Sequence, residues 1–205
     1  MALADKYGIT DEERAKIVDL AKAARQPSWY AAYRSVMSPE LEAYVAYEES
    51  AAIVRNFQRN AVPGILQSEE YARALLEKLQ TGRDLELSVE LRMRRQKVLE
   101  SEETKFFFIL DESVIRRTVG NEAIMRHQLE ALLRFNEYPN VQVQYVPFSA
   151  GIYPQFRTPY TIFEMSGEMD ALVAYSETPD GEVVLTEGTS RYGSRREPAD
   201  YLDAF

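Results

Sequence analysis

Hydrophobic and polar positions follow two different periods along the chain, and the change falls near residue 101. Before it the spacing is helical. Thr10 and Glu13 stand at the separation of a capping box, and Ile17, Leu20, Ala21 and Ala24 recur on one stripe up to Pro27. Ser28 can cap a short segment carrying Trp29, Tyr30 and Tyr33. Ser38-Pro39 starts a further helix with proline at its first position, where the missing donor costs nothing. Its inner side is expected to hold Leu41, Tyr44, Val45, Ala51 and Ala52, with Glu42, Glu48 and Glu49 facing water. Pro63-Gly64 breaks the chain. Ser68 then caps the clearest amphipathic helix, with Ala72, Leu75, Leu76 and Leu79 on one face and Gly82 as its terminal glycine. A helix from about Ser88 to Glu100 follows, with Val89, Met93 and Leu99 inside.

Beyond Ser101-Glu102-Glu103 the period shortens. Lys105-Phe-Phe-Phe-Ile-Leu110 reads as a buried strand, and Val141-Gln-Val-Gln-Tyr-Val146 alternates as a half-buried one. Between them Gly120-Asn121 opens a helix with Ile124, Met125, Leu129, Leu132 and Leu133 inward, ended by Pro139-Asn140. Tyr160 to Met165, Ala171 to Tyr175 and Val183 to Leu185 are three more strands, joined by turns at Ser166-Gly167 and Pro179-Asp180-Gly181. The fold class this predicts is α+β: an N-terminal helical half packed on a small mixed β-sheet with one crossover helix. Residues 1–26 form a separate helix or arm, and 27–205 a single domain with a helical part (27–100) and an α/β part (105–205).

Composition narrows the function. The 205 residues carry 24 Lys and Arg against 33 Asp and Glu, a net charge of −9, which argues against direct nucleic-acid binding through this chain. With no cysteine and one histidine, disulfides, thiolate chemistry and multi-histidine metal sites are excluded, and no cofactor or metal is expected. The longest uncharged stretch, Asn140 to Phe156, contains Gln142, Gln144, Ser149, two prolines and a glycine, so no membrane span is expected and the reading is soluble and cytoplasmic. The chain lacks GxGxxG, GxxxxGK[ST], GxSxG and HExxH.

Candidate chemistry gathers in the second half. Six of the chain's 23 aromatics (Tyr145, Phe148, Tyr153, Phe156, Tyr160 and Phe163) fall in one short stretch, where an even spread would put about two. They read as an aromatic-lined pocket or partner surface, or as ordinary core beneath a loop. Pro147 to Pro154, with Ser149, Gly151 and Tyr153, suits a shaped binding loop. Asp111-Glu112 closes the first of these strands. The pair could serve acid–base chemistry or a Mg²⁺ site, but a helix cap or a salt bridge to Arg116 or Arg117 is the favoured reading. His127, mid-helix beside Arg126, completes the set of titrating candidates. Arg92, Arg94, Arg95 and Lys97 form one basic cluster, read as a solvated face paired with Glu90 and Glu100 or, alternatively, as a surface for an acidic partner, and Arg191, Arg195 and Arg196 form another.

Several segments carry a resemblance. They are Val62-Pro-Gly-Ile-Leu-Gln-Ser-Glu-Glu-Tyr-Ala-Arg-Ala-Leu-Leu76, Leu91-Arg-Met-Arg-Arg-Gln-Lys-Val-Leu99, Leu110-Asp-Glu-Ser-Val-Ile-Arg-Arg117, Gly120, Met125-Arg-His-Gln-Leu129, Pro139-Asn-Val-Gln-Val143 and Val146-Pro-Phe-Ser-Ala-Gly151. Together with Trp29 to Arg34 they resemble the domain that follows the helix-turn-helix in actinobacterial Xre-type regulators, the WhiJ-like or antitoxin-like family, over about residues 25 to 165. The resemblance implies an effector domain that senses a small molecule or a small acidic partner protein. It also implies that residues 1–26 hold the last helix of the DNA-binding module. The ligand- or partner-binding residues expected on this reading are Trp29, Tyr33, Glu112, Arg116, Tyr145, Phe148, Ser149, Gly151, Tyr153 and Phe156. The alternative is a stand-alone relative recruited as a biosynthetic enzyme on a hydrophobic small molecule, with Glu112, Asp111 and His127 as its catalytic groups. A homodimer closed through the helical half is the third reading.

Overall fold

The computed structural model describes Thr10 and residues 28–153, 156–165, 171–178, 181–186 and 197–205, with the backbone alone described at 177–178 and 181–186. The helix expected through Ala24, the turns at Ser166-Gly167 and Pro179-Asp180 and the Arg191–Arg196 cluster lie outside these residues. The chain divides into two compact units, Met1–Arg34 and Ser35–Phe205. In the first, Trp29 meets Tyr30 and Tyr33 edge-on at centroid separations of 5.6 and 6.0 Å, and Tyr33 is buried.

The second unit opens with α1 (Pro39–Ser50), whose start Ser38 caps by accepting from the Leu41 N–H at 3.1 Å. The expected helix continues through Ala51 and Ala52. Instead the backbone turns extended at Ala51 and runs on as strand β1 (Ala51–Gln58). Two alanines extend a helical stripe without strain, while Arg55, Asn56 and Gln58 make a central strand look polar. Ile53, Val54 and Phe57 decide the outcome, because β-branched and aromatic side chains fit a pleated, buried surface.

The chain then forms α2 (Glu69–Leu76), capped by Ser68, and α3 (Gly82–Arg95). Gly82, between the two, takes φ +60°, the left-handed turn that a glycine makes without steric cost. Strand β2 (Lys105–Asp111) leads into the short α4 (Glu112–Arg116), α5 (Glu122–Phe135) and β3 (Val141–Val146). The rest is β4 (Tyr160–Met165), β5 (Leu172–Thr178), β6 (Gly181–Thr186) and a last helix, α6 (Pro198–Leu202).

The six strands make one mixed sheet in the order β3-β2-β1-β4-β5-β6. β1 is parallel to β2 with Val54 opposite Phe106, and β2 is parallel to β3. On its other side β1 is antiparallel to β4, with Asn56 opposite Thr161, and the antiparallel pairing continues to β6. The fold is α+β. α5 is the crossover expected between β2 and β3, and α2 with α3 makes a second crossover between β1 and β2.

The main core fills the face under these helices. Val54, Phe106, Phe108, Leu110 and Phe163 of the sheet meet Leu66, Tyr71, Leu99, Met125 and Leu132, each full burial contributing roughly 1.5–3 kcal/mol. Leu79 and Leu133, expected inside, are exposed: α2 ends at Leu76, and Leu133 lies on the outer side of α5. On the opposite face Phe57, Tyr160 and Ile162 pack with Tyr201 and Phe205 at the chain's end.

Two charges expected in water are buried instead. Glu48 of α1 is 2% exposed and Arg95 of α3 is 9% exposed. Arg95 donates through Nε and Nη2 to the two Glu48 oxygens, at 3.0 and 2.9 Å. Both residues sit on inward stripes, Leu41–Tyr44–Val45–Glu48 and Leu85–Ser88–Leu91–Arg95, at helical spacing. Burial works against the Arg95 charge, and the Glu48 carboxylate outweighs it, raising the guanidinium's hold on its proton. Glu48→Leu is expected to cost about 3–5 kcal/mol by leaving a buried charge alone, and adding Arg95→Met to recover most of the loss. Urea unfolding of both variants checks this, and a double mutant no better than the single one contradicts it.

Candidate functional site

Where β1 ends, the chain leaves the sheet through Val62-Pro-Gly-Ile-Leu-Gln67, and this loop is held by side chains rather than by regular structure. Gln67 donates to the Val62 carbonyl at 2.7 Å and accepts a short hydrogen bond from Arg92 Nη1. Gln96 donates to the Gln67 carbonyl at 2.6 Å. Gln128 of α5 donates to the Leu66 carbonyl at 2.8 Å and accepts from the Ser68 N–H at 2.7 Å. Tyr71 accepts from the Val62 N–H at 3.3 Å. A buried loop needs this, since every unpaired backbone group away from water costs about as much as a lost hydrogen bond.

The loop walls one side of a cavity of about 230 Å³ on the helix-covered face, at the carboxyl end of β1. β1 is bordered there by a parallel strand on one side and an antiparallel one on the other, and the loop turns away toward α2. Such a divergence leaves a crevice at strand ends. Leu41 and Tyr44 of α1, Pro63 and Gly64 of the loop, Leu76 after it and Leu91 of α3 supply much of the wall, with Tyr160, Thr161 and Tyr175 from the sheet. Burial pushes the Tyr160 hydroxyl up to about 12, so it stays protonated.

The polar lining is unusual in one respect. Among the described residues, the three buried side-chain atoms that have no hydrogen-bond partner are Asn56 Oδ1, Gln80 Oε1 and Ser88 Oγ, and all three residues line this one cavity. Asn56 and Ser88 are only 2% and 6% exposed. The Asn56 amide nitrogen donates to Thr161 Oγ1 at 2.6 Å, which turns its oxygen into the unpaired atom. Buried polar groups elsewhere in proteins find partners in the great majority of cases, so three orphans in one place mark the spot. Arg92 and Arg95 also line the cavity, and a Cβ built on Gly64 would lie 3.9 Å from Arg92 Nε and 3.6 Å from Arg95 Nη1.

Of the six aromatics expected to line a pocket Tyr160 alone lines this cavity, and the ligand- or partner-binding and catalytic residues expected from the sequence lie elsewhere. Asp111 and Glu112 hold the following loop. Tyr153 donates to Asp111 Oδ2 at 2.5 Å, and the Ser113 N–H donates to Asp111 Oδ1 at 2.9 Å. The Phe148 N–H donates to Glu112 Oε2 at 2.7 Å, and Arg116 Nε donates to Glu112 Oε1 at 2.7 Å. Burial pushes the Asp111 carboxyl up, but the bonds from Ser113 and Tyr153 outweigh it and hold it below its ordinary 3.8. The Phe148 N–H, then Arg116, hold Glu112 below 4.5. Tyr153 is raised by burial and by Asp111.

Tyr145, Phe148, Ser149 and Gly151 are exposed, and Gly151 turns the loop at φ +71°. Phe156 packs beside Tyr153 at 6.0 Å. Trp29 and Tyr33 belong to the first unit. His127 is exposed on α5, its Nδ1 3.9 Å from a Glu70 oxygen, so Asp111, Glu112 and His127 do not form one constellation. Of the basic cluster, Arg92 donates to Gln67 and Arg95 to Glu48, and both line the cavity. Among the described residues no group of three or more His, Asp or Glu is arranged to hold a metal ion.

Asn56, Gln80, Ser88 and Arg92 were missed because each looks ordinary in its own segment. The one available signal was a polar residue on an otherwise apolar inward stripe, as Ser88 is between Leu85 and Leu91.

A family model described as "Domain of unknown function (DUF5753)" matches residues 41–196, past the segments that carry the resemblance noted above. No curated protein and no solved structure matches the chain.

Ser88→Ala removes a buried hydroxyl with no partner and is expected to stabilise the fold by about 1 kcal/mol, read as a higher urea midpoint at unchanged slope. A destabilised variant would count against the hydroxyl being unpaired. The Asp111–Glu112 clasp has its own pH signature. Both carboxyls titrate below their ordinary values when folded, so their contribution is complete above 3.8 and 4.5 and is lost as the pH falls below these. The protection of the Phe148 amide, its exchange taken relative to the intrinsic rate at each pH, should therefore fall on acidification through that range, and Glu112→Gln should lower it at neutral pH.

Proposed function

We propose that this chain, which belongs to the DUF5753 family, is a regulatory domain that binds a small molecule in the cavity at the end of β1. The observation that carries the reading is that the three residues with a partnerless buried polar atom all line one cavity. A core selected only for stability would fill the space or replace these groups, since each costs roughly 1–3 kcal/mol when unsatisfied. A bound molecule that supplies the missing hydrogen bonds removes that cost.

The resemblance to the effector domain of actinobacterial Xre-type regulators gives the reading its context. On that basis the domain works in the cytoplasm and reports occupancy of the cavity to DNA-binding helices. A further point in favour is that the resembling segments Val62–Leu76 and Leu91–Leu99 are the ones that line the cavity or hold its loop. Binding is favoured over catalysis because the valences of Asp111 and Glu112 are committed to the loop and His127 is remote in role. The chemistry of the cavity is that of recognition.

A second reading has one observation behind it. Leu129 and Leu133 of α5 are exposed in a shallow groove of about 420 Å³ whose Arg116 and Arg126 are matched by Glu122 and Glu130, so that its apolar residues rather than its charge suit a partner protein.

Native mass spectrometry of the protein purified gently from its own host tests both readings. Under the first, a small mass accompanies the chain and is lost on denaturation. That compound, added back in hundredfold excess over its Kd, stabilises the fold by about 2.7 kcal/mol. A ligand-free chain that a metabolite extract fails to stabilise would refute it, and a complex with a small acidic protein would move the function to the α5 groove.

A further inference from the structure

The chemistry lining the cavity goes further than the statement that something binds, and this inference rests on the cavity being the ligand site proposed above. Three features narrow the ligand. The first is what the orphan atoms require. Asn56 Oδ1 and Gln80 Oε1 are amide oxygens, which only accept, and Ser88 Oγ can accept or donate. An occupant that satisfies them must bring at least two O–H or N–H donors. A hydrocarbon or a fully alkylated compound would leave them as they are.

The second feature is charge. Two guanidiniums, those of Arg92 and Arg95, line the cavity and approach the same corner at Gly64, within 4 Å of the point a Cβ would occupy there. Among the described residues no carboxylate lines it, Glu48 lying behind Arg95 and outside the wall. Gly64 leaves this corner open, since it has no side chain to stand between the guanidiniums and an occupant. A planar fork of N–H donors is the group that recognises carboxylate and phosphate oxygens.

The third feature is size. At about 230 Å³ the cavity is smaller than the pockets that hold drug-sized molecules, which suits a single ring or a short chain.

We infer that the cavity takes a small acid, carboxylate or phosphate, that also carries at least two hydroxyl or amide hydrogens. The acidic group sits at the Gly64 corner against Arg92 and Arg95, and the hydrogens go to Asn56, Gln80 and Ser88.

The test is equilibrium dialysis of the whole chain against a deproteinised metabolite extract and, separately, against millimolar gluconate, glucose 6-phosphate, glucose and cyclohexanecarboxylate. Retained compounds are identified by mass spectrometry in water and in D2O, which counts their exchangeable hydrogens. The expected result is an acid with two or more exchangeable hydrogens beyond its acidic group. Among the probes, gluconate or glucose 6-phosphate should be retained about tenfold over the neutral sugar and the donor-free acid. Which of the two is preferred separates a carboxylate ligand from a phosphate one. Arg92→Gln is expected to lose that preference and Arg92→Lys to keep most of it, with thermal melts showing that both variants fold. Asn56→Leu keeps the charge and should weaken the hydroxy acid alone, leaving cyclohexanecarboxylate unchanged.

A neutral or donor-free compound retained from the extract would overturn the ligand class and leave the cavity as a binding site. So would equal retention of all four probes. Nothing retained from either source would overturn the binding reading itself.

Discussion

Neither Glu48 nor Arg95 can be left alone in the interior, and much of the helical layer follows from that. Taking a carboxylate and a guanidinium out of water costs several kcal/mol each, recovered only where the two meet in good geometry. Here both Arg95 donors that face Glu48 are used, and the guanidinium lies 5.1 Å from the Tyr44 ring centroid. Tyr44 in turn meets Phe163 and Tyr175 edge-on at 5.1 and 4.9 Å. One ion pair thereby fixes α1 against α3 and, through an aromatic chain, against β4 and β5. α1 and α3 are also two walls of the cavity. Its shape depends on a pair of charges of which only Arg95 reaches its wall.

The fold treats its polar groups in two contrasting ways. At the end of β2 every valence is used: Asp111 and Glu112 accept from Ser113, Tyr153, Phe148 and Arg116, and a loop is clasped as a result. At the end of β1 three side chains are presented with capacity to spare. Carboxylates with all their partners in place are poor reagents and good struts. Amides and a hydroxyl left without protein partners beside a cavity suit recognition, at a standing cost to stability of the kind that functional sites impose.

Legibility in the sequence followed the length scale of the signal. The run Phe106–Leu110 and the alternation Val141–Val146 were read correctly because each period is local and sits between plain stop signals. Ser38, Ser68 and Asn121 were readable as helix starts because capping involves only the next three residues. β1 was not readable. Its pattern continues the stripe of the helix before it, and its polar members Asn56 and Arg55 find partners more than a hundred residues away, in Thr161 and Glu164. Glu48 and Arg95 were read as wet for the same reason, since each is an ordinary surface residue until the other is placed against it. The candidate site fared worst. The sequence led to the aromatic cluster and the Asp111–Glu112 pair, which are dense and conspicuous, whereas the cavity draws single residues from α1, β1, α3 and β4.

The β1–β4 seam also governs when the cavity can exist. Asn56 and Thr161, hydrogen-bonded across it, are 105 positions apart, so closing that part of the sheet means bringing together the ends of a very long loop. The entropy of such a closure is met before the contacts that reward it, and pairings of this kind form slowly. Parallel β1, β2 and β3 and the helices that precede and join them all come from the chain up to Val146, a segment that contains both guanidiniums and all three orphan atoms but neither Thr161 nor Tyr175. During synthesis the polar determinants are therefore made early and stand in an unfinished crevice, and the fourth strand encloses them only after most of the chain has emerged.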